Sequence, residues 1–237
     1  MQKIGIIAAM DSEMEILRNA ITERKEETIA QTTYYTGRIG NHEVVLTRSG
    51  IGKVSAALSA QIMISTFQVS CIFNTGCAGG LATGLHIGDF VVSTSTAEWD
   101  IDIEPIGLPQ GFISALGVTE MEADRQLAEW VKSAIPSGNR VYEGQIISGD
   151  QFVHKEEQRQ IIQKHFGKAL CVEMEGGAIG HVCAQNGISF CIIRCLSDTA
   201  DGESGMKFEE FSAIAGEKSG EIMIRMLNGC GKEQKMR

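Results

Sequence analysis

The sequence Leu170-Cys171-Val172-Glu173-Met174-Glu175-Gly176-Gly177-Ala178 joins a short apolar run to two carboxylates and a pair of glycines. The apolar residues predict a buried strand, and the small residues that follow predict a helix packed close against a sheet. In open α/β sheets, ligands bind outside the carboxyl ends of the strands. Glu173 and Glu175 are therefore candidates for a ligand site, although two solvated acids in a strand-to-helix turn would give the same pattern.

A second strand end of the same kind occurs at residues 191–198, where an apolar run leads to Ser197 and Asp198. Short apolar runs alternate with amphipathic segments along the rest of the chain, and no repeat, linker or low-complexity block divides it. We predict an α/β fold: a single three-layer α/β/α domain with a mixed, largely parallel central sheet. The predicted domain covers residues 1–230, and residues 231–237 are predicted to be a polar C-terminal tail.

The composition narrows the possible classes of function. A net charge of −9 argues against a nucleic-acid partner or an anionic membrane surface, because both need clustered Lys and Arg. The apolar start, residues 3–10, runs directly into acidic residues without a cleavage site, so it predicts a first strand and not a signal peptide. The seven cysteines form no Cys-x-x-Cys pair. They predict a cytoplasmic protein without a disulfide framework or a metal site, and we expect no cofactor.

Four other segments carry specific predictions. Residues 28–37 and 43–48 alternate and are rich in Thr, Tyr and Val, which predicts an antiparallel hairpin. Residues 49–53 look like a phosphate loop but fail the spacing of both nucleotide-binding motifs. Residues 76–80 predict a loop with little side chain, which serves either a turn or the close approach of a ligand to backbone amides. Residues 98–117 are irregular yet apolar, which favours a lid or an interface over disorder.

The groups at the predicted strand ends suggest a ligand class. They are Glu13, the segments 76–80 and 152–153, and the two strand ends that carry Glu175 and Asp198. Carboxylates, an aromatic ring and backbone amides suit a neutral polyhydroxylated ligand with a flat ring, whereas like charge would repel a phosphorylated ligand. Cleavage of a nucleoside needs an acid for the leaving base, a base for water and acceptors for the ribose hydroxyls. Glu13 also has a simpler explanation, because an acid in a first helical turn favours the helix dipole.

These residues resemble the 5′-methylthioadenosine/S-adenosylhomocysteine nucleosidases of the purine and uridine phosphorylase superfamily. The resemblance runs from the first strand to the last helix, and it is specific as a set of motifs and not through any single one. The matching motifs are Gly5-Ile-Ile-Ala-Ala-Met10 with Glu13, Ser49-Gly-Ile-Gly-Lys-Val54, Asn74-Thr-Gly-Cys-Ala-Gly-Gly80, Ser148-Gly-Asp-Gln-Phe-Val153, Val172-Glu-Met-Glu175 with Ala178-Ile179, and Arg194-Cys-Leu-Ser-Asp198.

The resemblance implies hydrolysis of the N-glycosidic bond of methylthioadenosine and adenosylhomocysteine, with release of adenine. Glu13 would be the general base that activates water, and Asp198 would hydrogen-bond or protonate adenine N7. Glu175 and the backbone of Met174 would hold the ribose hydroxyls. A free aspartate has a pKa of roughly 3.9, so Asp198 can donate a proton near neutrality only if its surroundings raise that pKa. The apolar run before Asp198 could supply this by desolvation, whereas Arg194 would oppose it if the two groups were close.

The remaining implied contacts concern the purine and the 5′ end of the substrate. Phe152 would stack on the purine, and the backbone of Val153 would read its Watson–Crick edge. Arg194 would help to order the water site, and Phe208 would line the 5′-thio end. The other implied substrate-binding residues are Cys77, Ala78, Gly79, Glu173 and Ser197.

Two departures from the family pattern accompany the resemblance. Cys77 stands where the family usually has Ser, so a hydroxyl contact there is lost while the backbone amides remain. Residues 98–117 carry Trp99-Asp-Ile-Asp102 in place of the family's common His-Asp-Ala-Asp and lack its aromatic-rich continuation. In the family this region reaches the neighbouring subunit of a homodimer. We predict a homodimer with loop 98–117 at its interface. Two alternatives to a hydrolase stay open: a phosphorylase of the same fold, and a non-catalytic nucleoside-binding module.

Overall fold

The computed structural model describes residues 3–198 and 208–229, except for the side chains of Phe208 and Glu209. The predicted tail, 231–237, and the predicted contact of Phe208 with the 5′ end of the substrate lie outside the described part. Within the described residues the chain forms ten strands and six α-helices. The strands are β1 Lys3–Ala8, β2 Thr22–Ile29, β3 Thr32–Ile39, β4 His42–Arg48, β5 Cys71–Gly80, β6 Phe90–Glu98, β7 Met121–Glu122, β8 Val141–Ser148, β9 Ala169–Glu173 and β10 Ser189–Asp198. The helices are α1 Asp11–Ala20, α2 Lys53–Ser65, α3 Arg125–Ala134, α4 Glu156–Phe166, α5 Gly176–Asn186 and α6 Phe208–Leu227.

The strands form one mixed sheet in the order β10, β6, β8, β9, β5, β1, β4, β3, β2, with the short β7 paired to β6. The pairs β1–β4, β1–β5, β5–β10, β6–β8 and β8–β9 are parallel. Because β5 pairs with β10 as well as with β9, the strands β5, β9, β8, β6 and β10 close into a ring. The predicted mixed α/β sheet is confirmed, and its closure into a ring is a feature that the strand pattern did not predict.

Helices cover both faces of this sheet, as β5 shows. Phe73 points into one core, which it shares with Leu17 of α1 and Met223 of α6. Its neighbour Ile72 points to the opposite face and into a second core, which it shares with Met63 of α2 and with side chains of α5. Successive side chains of a strand point to opposite faces, so two cores on one strand require two helical layers. The predicted three-layer arrangement is confirmed.

The predicted hairpin is correct in its second half and wrong in its first. β3 and β4 pair antiparallel as expected, joined at Gly40, but residues 28–37 do not form one strand. The chain reverses at Ala30 and Gln31, which have φ of 49° and 60°, and β2 precedes this turn as a separate antiparallel strand. Neither residue is a glycine, so the sequence carried no usual signal for a turn with left-handed backbone.

The interpretation of residues 76–80 as a loop is wrong, because β5 continues through Gly80. This part of β5 pairs with β10 on one edge, and Gly79 and Gly80 pair with β9 on the other. Hydrogen bonds on both edges hold the segment in a ladder despite its glycines, which favour a turn only when nothing else fixes the backbone. The small side chains instead leave room for neighbouring groups, as described below.

Residues 98–117 are irregular, as predicted, apart from a single 3₁₀ turn at Glu104–Ile106. Part of the segment folds onto its own chain: Trp99 and Ile113 are buried, and the Gln110 side chain donates a hydrogen bond of 2.7 Å to the Trp99 carbonyl. Ile106 remains 74% exposed. None of the helices in the described part of the chain has the length and hydropathy that a membrane span requires. The six described cysteines are free thiols.

Candidate active site

A pocket of about 670 Å³, a volume that includes open solvent at its mouth, lies where β1, β5, β9 and β10 end. Of the predicted site residues whose side chains the structure describes, all except Arg194 line it. The lining residues are Ala9, Met10, Glu13, Ile51, Cys77, Ala78, Gly79, Gln151, Phe152, Val153, Val172, Glu173, Met174, Glu175, Ser197 and Asp198. The sheet edge that the sequence singled out therefore carries a single concave site.

Glu13 is a buried carboxylate held by backbone amides. Its Oε2 accepts hydrogen bonds from the amides of Ala9 at 2.8 Å and Met10 at 3.0 Å, and its Oε1 accepts one from the amide of Cys77 at 3.1 Å. The side chain is 3% exposed and belongs to the first turn of α1. A carboxylate offers about four acceptor positions, so three amides leave one on Oε1 for a further donor. The three amides also fix the orientation of the group.

Two glycines make room for this carboxylate. A methyl group on Gly76 would lie 2.5 Å from Oε1 of Glu13, and one on Gly216 of α6 would lie 2.7 Å from its Cγ. Gly76 lies in β5 and Gly216 lies in the helix that packs against α1. The narrow space beside Glu13 therefore depends on the absence of side chains on both neighbouring elements.

Glu173 serves the internal structure of the site. Its Oε1 accepts a hydrogen bond from the Ser148 hydroxyl, and its Oε2 accepts bonds from the amides of Glu175 at 3.0 Å and Gly176 at 2.8 Å. The Arg194 guanidinium also donates to Oε2 of Glu173. These donors tie the end of β9 to the start of α5 and to β10.

Arg194 lies beneath the pocket and not on its wall. It is 1% exposed, donates to Asn74 as well as to Glu173, and its Nη2 lies 3.8 Å from Oε2 of Glu175. Burial disfavours a charge on the guanidinium, but the surrounding carboxylates outweigh it and raise the pKa of Arg194. Arg194 is therefore a fixed positive charge that compensates two neighbouring acids.

Glu175 stands at the start of α5 with its Oε1 accepting a hydrogen bond of 2.9 Å from the amide of Gly52. The side chain is 5% exposed. Burial raises the pKa of Glu175, and the nearby charge of Glu173 raises it further, while Arg194 acts in the opposite direction. These effects together favour the neutral form of Glu175.

Asp198 lies across the pocket on the last residue of β10 and is half-buried. Burial raises the pKa of Asp198, against a smaller opposing effect of the Ser197 hydroxyl, which lies 3.1 Å from its Oδ1. The positive side chain that opposes this shift is Arg159, and Arg194 is instead engaged by Glu173. Desolvation therefore supplies the upward shift that a proton donor needs. A methyl group on Gly79 would lie 3.2 Å from Oδ2 of Asp198, so this glycine also leaves space for an acid.

Several comparisons with known proteins bear on this geometry. The sequence profile of the phosphorylase superfamily matches residues 3–228. The 5′-methylthioadenosine/S-adenosylhomocysteine nucleosidase of Actinobacillus succinogenes is 41% identical over 225 residues, which are 95% of this chain and 98% of that protein. The chain belongs to the 5′-methylthioadenosine/S-adenosylhomocysteine nucleosidase family.

Solved structures of nucleosidases agree with this assignment. The enzyme from Neisseria meningitidis, in complex with methylthio-immucillin-A, is 35% identical, with a TM-score of 0.90 over 96% of this chain and 99% of that chain. The enzyme from Colwellia psychrerythraea, in complex with adenine, is 36% identical, with a TM-score of 0.91 over 98% of this chain and 97% of that chain. The predicted family and fold are confirmed.

In this nucleosidase, Cys77 takes the place of the serine that the family usually has. Burial raises the pKa of the Cys77 thiol, and the charge of Glu13 adds to that effect, so the thiol stays neutral. The backbone of Cys77 is not open to a ligand as the sequence suggested, since its amide donates to Glu13.

Some lining residues escaped the sequence analysis. They are Ala9, Met10, Ile51, Gln151 and Val172, and each lies inside a motif that was recognised, although no site role was predicted for it. Ala9 and Met10 could have been found from their position at the carboxyl end of β1, where their amides orient Glu13. The aromatic ring of Phe152 was predicted, and it lines the pocket while remaining 49% exposed.

Proposed function

We propose that this chain cleaves the N-glycosidic bond of 5′-methylthioadenosine and S-adenosylhomocysteine, with Glu13 as general base and Asp198 as general acid. The activity is the one named for relatives that are about 40% identical over nearly the whole chain. The observation that carries the residue roles is that both acids line one pocket. Three backbone amides hold the carboxylate of Glu13, whereas burial raises the pKa of Asp198.

Glu13 suits the water side of the reaction. Its remaining acceptor position on Oε1 takes a proton from a water that attacks C1′ of the ribose, and the three amides hold the carboxylate still. Asp198 suits the leaving-group side, because burial raises its pKa and so favours the protonated form that can donate. It passes its proton to adenine N7 as the glycosidic bond breaks. The products are adenine and the 5-thioribose, and solvent returns the proton from Glu13 to Asp198.

The remaining pocket residues would bind the substrate. Glu175 and the Met174 backbone accept and orient the ribose hydroxyls, and the exposed ring of Phe152 stacks on the purine beside the Val153 backbone. Ala78, Gly79 and Ser197 line the adjoining wall, with Cys77. Phe208 is proposed at the 5′-thio end.

Glu173 and Arg194 act through their neighbours in this proposal. Both are engaged by internal contacts, and Arg194 is absent from the pocket lining. Their contribution is to hold Glu175 and the water site in place.

A phosphorylase would need a cationic group for the phosphate dianion at the nucleophile position. No Lys or Arg occurs among the described residues that line the pocket, and a carboxylate, Glu13, stands where the nucleophile enters. A purely binding module would need neither member of an acid–base pair. Both alternatives are therefore less well supported than hydrolysis.

One assay separates these functions. Adenine release is measured from methylthioadenosine, adenosylhomocysteine, adenosine and inosine, with and without phosphate. We expect release from the thio-nucleosides at a rate that phosphate does not change, with free methylthioribose as co-product. Ribose-1-phosphate derivatives among the products would contradict hydrolysis. Glu13→Gln should lower kcat by about a hundredfold and leave the fold intact, as expected for loss of a positioned proton acceptor.

We further propose a homodimer with loop 98–117 at its interface. Two exposed apolar side chains lie one turn apart on α2, where Val54 is 79% and Leu58 46% exposed, and Ile106 of the loop is 74% exposed. Apolar residues that recur on one helix face favour a partner surface. Sedimentation at micromolar concentration should give a dimer, and Val54→Glu should shift it toward monomer. A fully active monomeric wild type would contradict the proposal.

We also propose that residues 1–230 form the catalytic domain, that 231–237 are a dispensable polar tail, and that the enzyme works in the reducing cytoplasm, where its free thiols are stable. A chain that ends at residue 230 should keep the activity and the melting temperature of the full chain. A marked loss of either would assign the tail a role.

A further inference from the structure

Glu175, the carboxylate that we propose binds the ribose hydroxyls, depends on a loop that is remote from it in sequence. Oε1 of Glu175 accepts the amide hydrogen of Gly52 at 2.9 Å. Gly52 has φ of 104°, a backbone conformation that L side chains rarely adopt, and it immediately precedes α2. The same loop contributes Ile51 to the pocket wall. A hydrogen bond from so flexible a residue orients Glu175 only if the neighbouring backbone is fixed.

Lys53 supplies that fixation at three points. Its amide donates a hydrogen bond of 2.7 Å to Oδ1 of Asp150, and its ammonium contacts Oδ1 of Asp100 at 2.6 Å and Oε2 of Glu98 at 2.9 Å. Burial opposes a charge on Lys53, but the hydrogen bonds with Asp100 and Glu98 outweigh it and raise its pKa. Lys53 therefore joins the start of α2 to the end of β6 and to the loop after β8.

The partners of Lys53 are themselves anchored. Oδ2 of Asp100 accepts the amide hydrogen of Asp150 at 2.8 Å, and Oε1 of Glu98 pairs with Nδ1 of His181 at 2.8 Å. His181 belongs to α5, the helix that Glu175 begins. A chain of contacts thus runs from His181 of α5 through Glu98 to Lys53, and from the neighbouring Gly52 back to Glu175 at the start of α5.

We propose that Lys53 is a positioning residue for ribose recognition, acting through the Gly52 amide on Glu175. The proposal rests on the role of Glu175 given above. Lys53 touches no substrate: it is absent from the pocket wall as described, and it holds the loop whose amide orients the carboxylate. Without its ammonium, Glu98 and Asp100 would repel each other, and the loop 50–53 would lose two of its three anchors.

A substrate comparison tests this directly. The wild type and Lys53→Met are assayed for kcat/KM with methylthioadenosine and with its 3′-deoxy analogue. The hydrogen bond between the 3′-hydroxyl and Glu175 should give the wild type a preference for methylthioadenosine of tenfold or more, the order expected for a hydrogen bond to a charged group. Lys53→Met should reduce this preference to about threefold. General destabilisation would lower both rates and leave their ratio unchanged, and that result would overturn the proposal.

Three further variants sharpen the comparison. Glu175→Gln should abolish most of the preference for methylthioadenosine. If the preference remains, the ribose role of Glu175 is wrong. If Glu175→Gln loses the preference but Lys53→Met keeps it, only the role of Lys53 is overturned. Lys53→Arg, which keeps the charge, should restore part of the preference. The control is Lys132→Met, because Lys132 also bridges two carboxylates, Glu129 and Glu143, but belongs to α3 away from the pocket. It should keep the wild-type ratio.

A surface variant decides the matter if Lys53→Met does not fold. Asp150 is exposed, and Asp150→Ala removes the acceptor of the Lys53 amide while leaving the buried ion pairs in place. We expect a smaller loss of preference, about threefold. An unchanged ratio in Asp150→Ala would overturn the proposal in that case.

Discussion

Gly76→Ala should misplace the carboxylate of Glu13, our proposed general base, without changing its chemistry. The added methyl group would lie 2.5 Å from Oε1 and 2.9 Å from Cδ of Glu13, and 3.0 Å from Nη1 of Arg194. Ordinary contacts between such atoms begin at about 3.5 Å, so Oε1 must move by about 1 Å. Gly76 lies within β5 and has no positive φ, so alanine meets no backbone strain there.

A displacement of about 1 Å at a reacting group can cost a hundredfold in rate, and we expect kcat for adenine release to fall by about that factor. Overpacking of the buried site should also destabilise the protein by about 1–3 kcal/mol. The matched control is Gly144→Ala in β8, whose methyl group would lie 2.5 Å from Cδ1 of Leu170 and away from the pocket. It should lower the melting temperature while leaving kcat close to the wild-type value.

Two outcomes would refute this reasoning. A kcat near that of the wild type in Gly76→Ala would mean that Glu13 tolerates the shift or takes no part in the reaction. The double variant Gly76→Ala with Glu13→Gln tests the route of the effect: if the methyl group acts only through Glu13, it should lower the rate little further in that background. A full additional hundredfold loss would show that the methyl group acts elsewhere, for example on Arg194.

Three other predictions follow from the same geometry. Asp198→Asn should lower kcat by about a hundredfold. Wild-type kcat should fall as pH rises through the raised pKa of Asp198, because the acid must be protonated to donate. A kcat that stays constant at alkaline pH would exclude Asp198 as the donor. Glu175 has a pKa raised by burial, so it stabilises the fold below its unfolded pKa and loses that contribution as pH rises through the folded value. Glu175→Gln should therefore raise the melting temperature at pH 8 but not at pH 4, by calorimetry. Gly216→Ala, whose methyl group would lie 2.7 Å from Cγ of Glu13, should lower kcat by about tenfold; an unchanged kcat would show that α6 can move away.

Sequence patterns predicted the site better than they predicted the sheet. Carboxylates that follow apolar runs mark strand ends, and strand ends converge in an α/β fold, so the sequence alone was enough to place Glu13, Glu175 and Asp198 in one site. The closure of the sheet could not be predicted in the same way. It depends on β5 pairing with β10 and β9 together, and pairing partners are set by long-range packing that no local pattern encodes.

The same distinction explains the local errors. The glycine-rich part of β5 was taken for a loop because glycine favours turns in isolation, but ladders on both edges fix its backbone. The different contacts of Glu173 and Glu175 also could not be predicted from the sequence. They stand two residues apart, and only the fold shows that four donors surround the carboxylate of Glu173, whereas that of Glu175 accepts the amide of Gly52.

The balance of buried charge in the pocket fits the cationic transition state of the proposed hydrolysis. Three buried carboxyls, those of Glu13, Glu173 and Glu175, face one buried cation, Arg194, which is committed mainly to Glu173. Two unit charges about 4 Å apart near a protein surface interact by about 4 kcal/mol, so this excess of acid opposes a phosphate dianion and favours positive charge on the ribose. Burial raises the pKa of Glu175 and so favours its neutral form. If Glu175 holds the ribose hydroxyls as proposed, positive charge that develops on the sugar would favour its ionised form. The interaction would then be stronger in the transition state than in the ground state, and interactions of that kind accelerate a reaction.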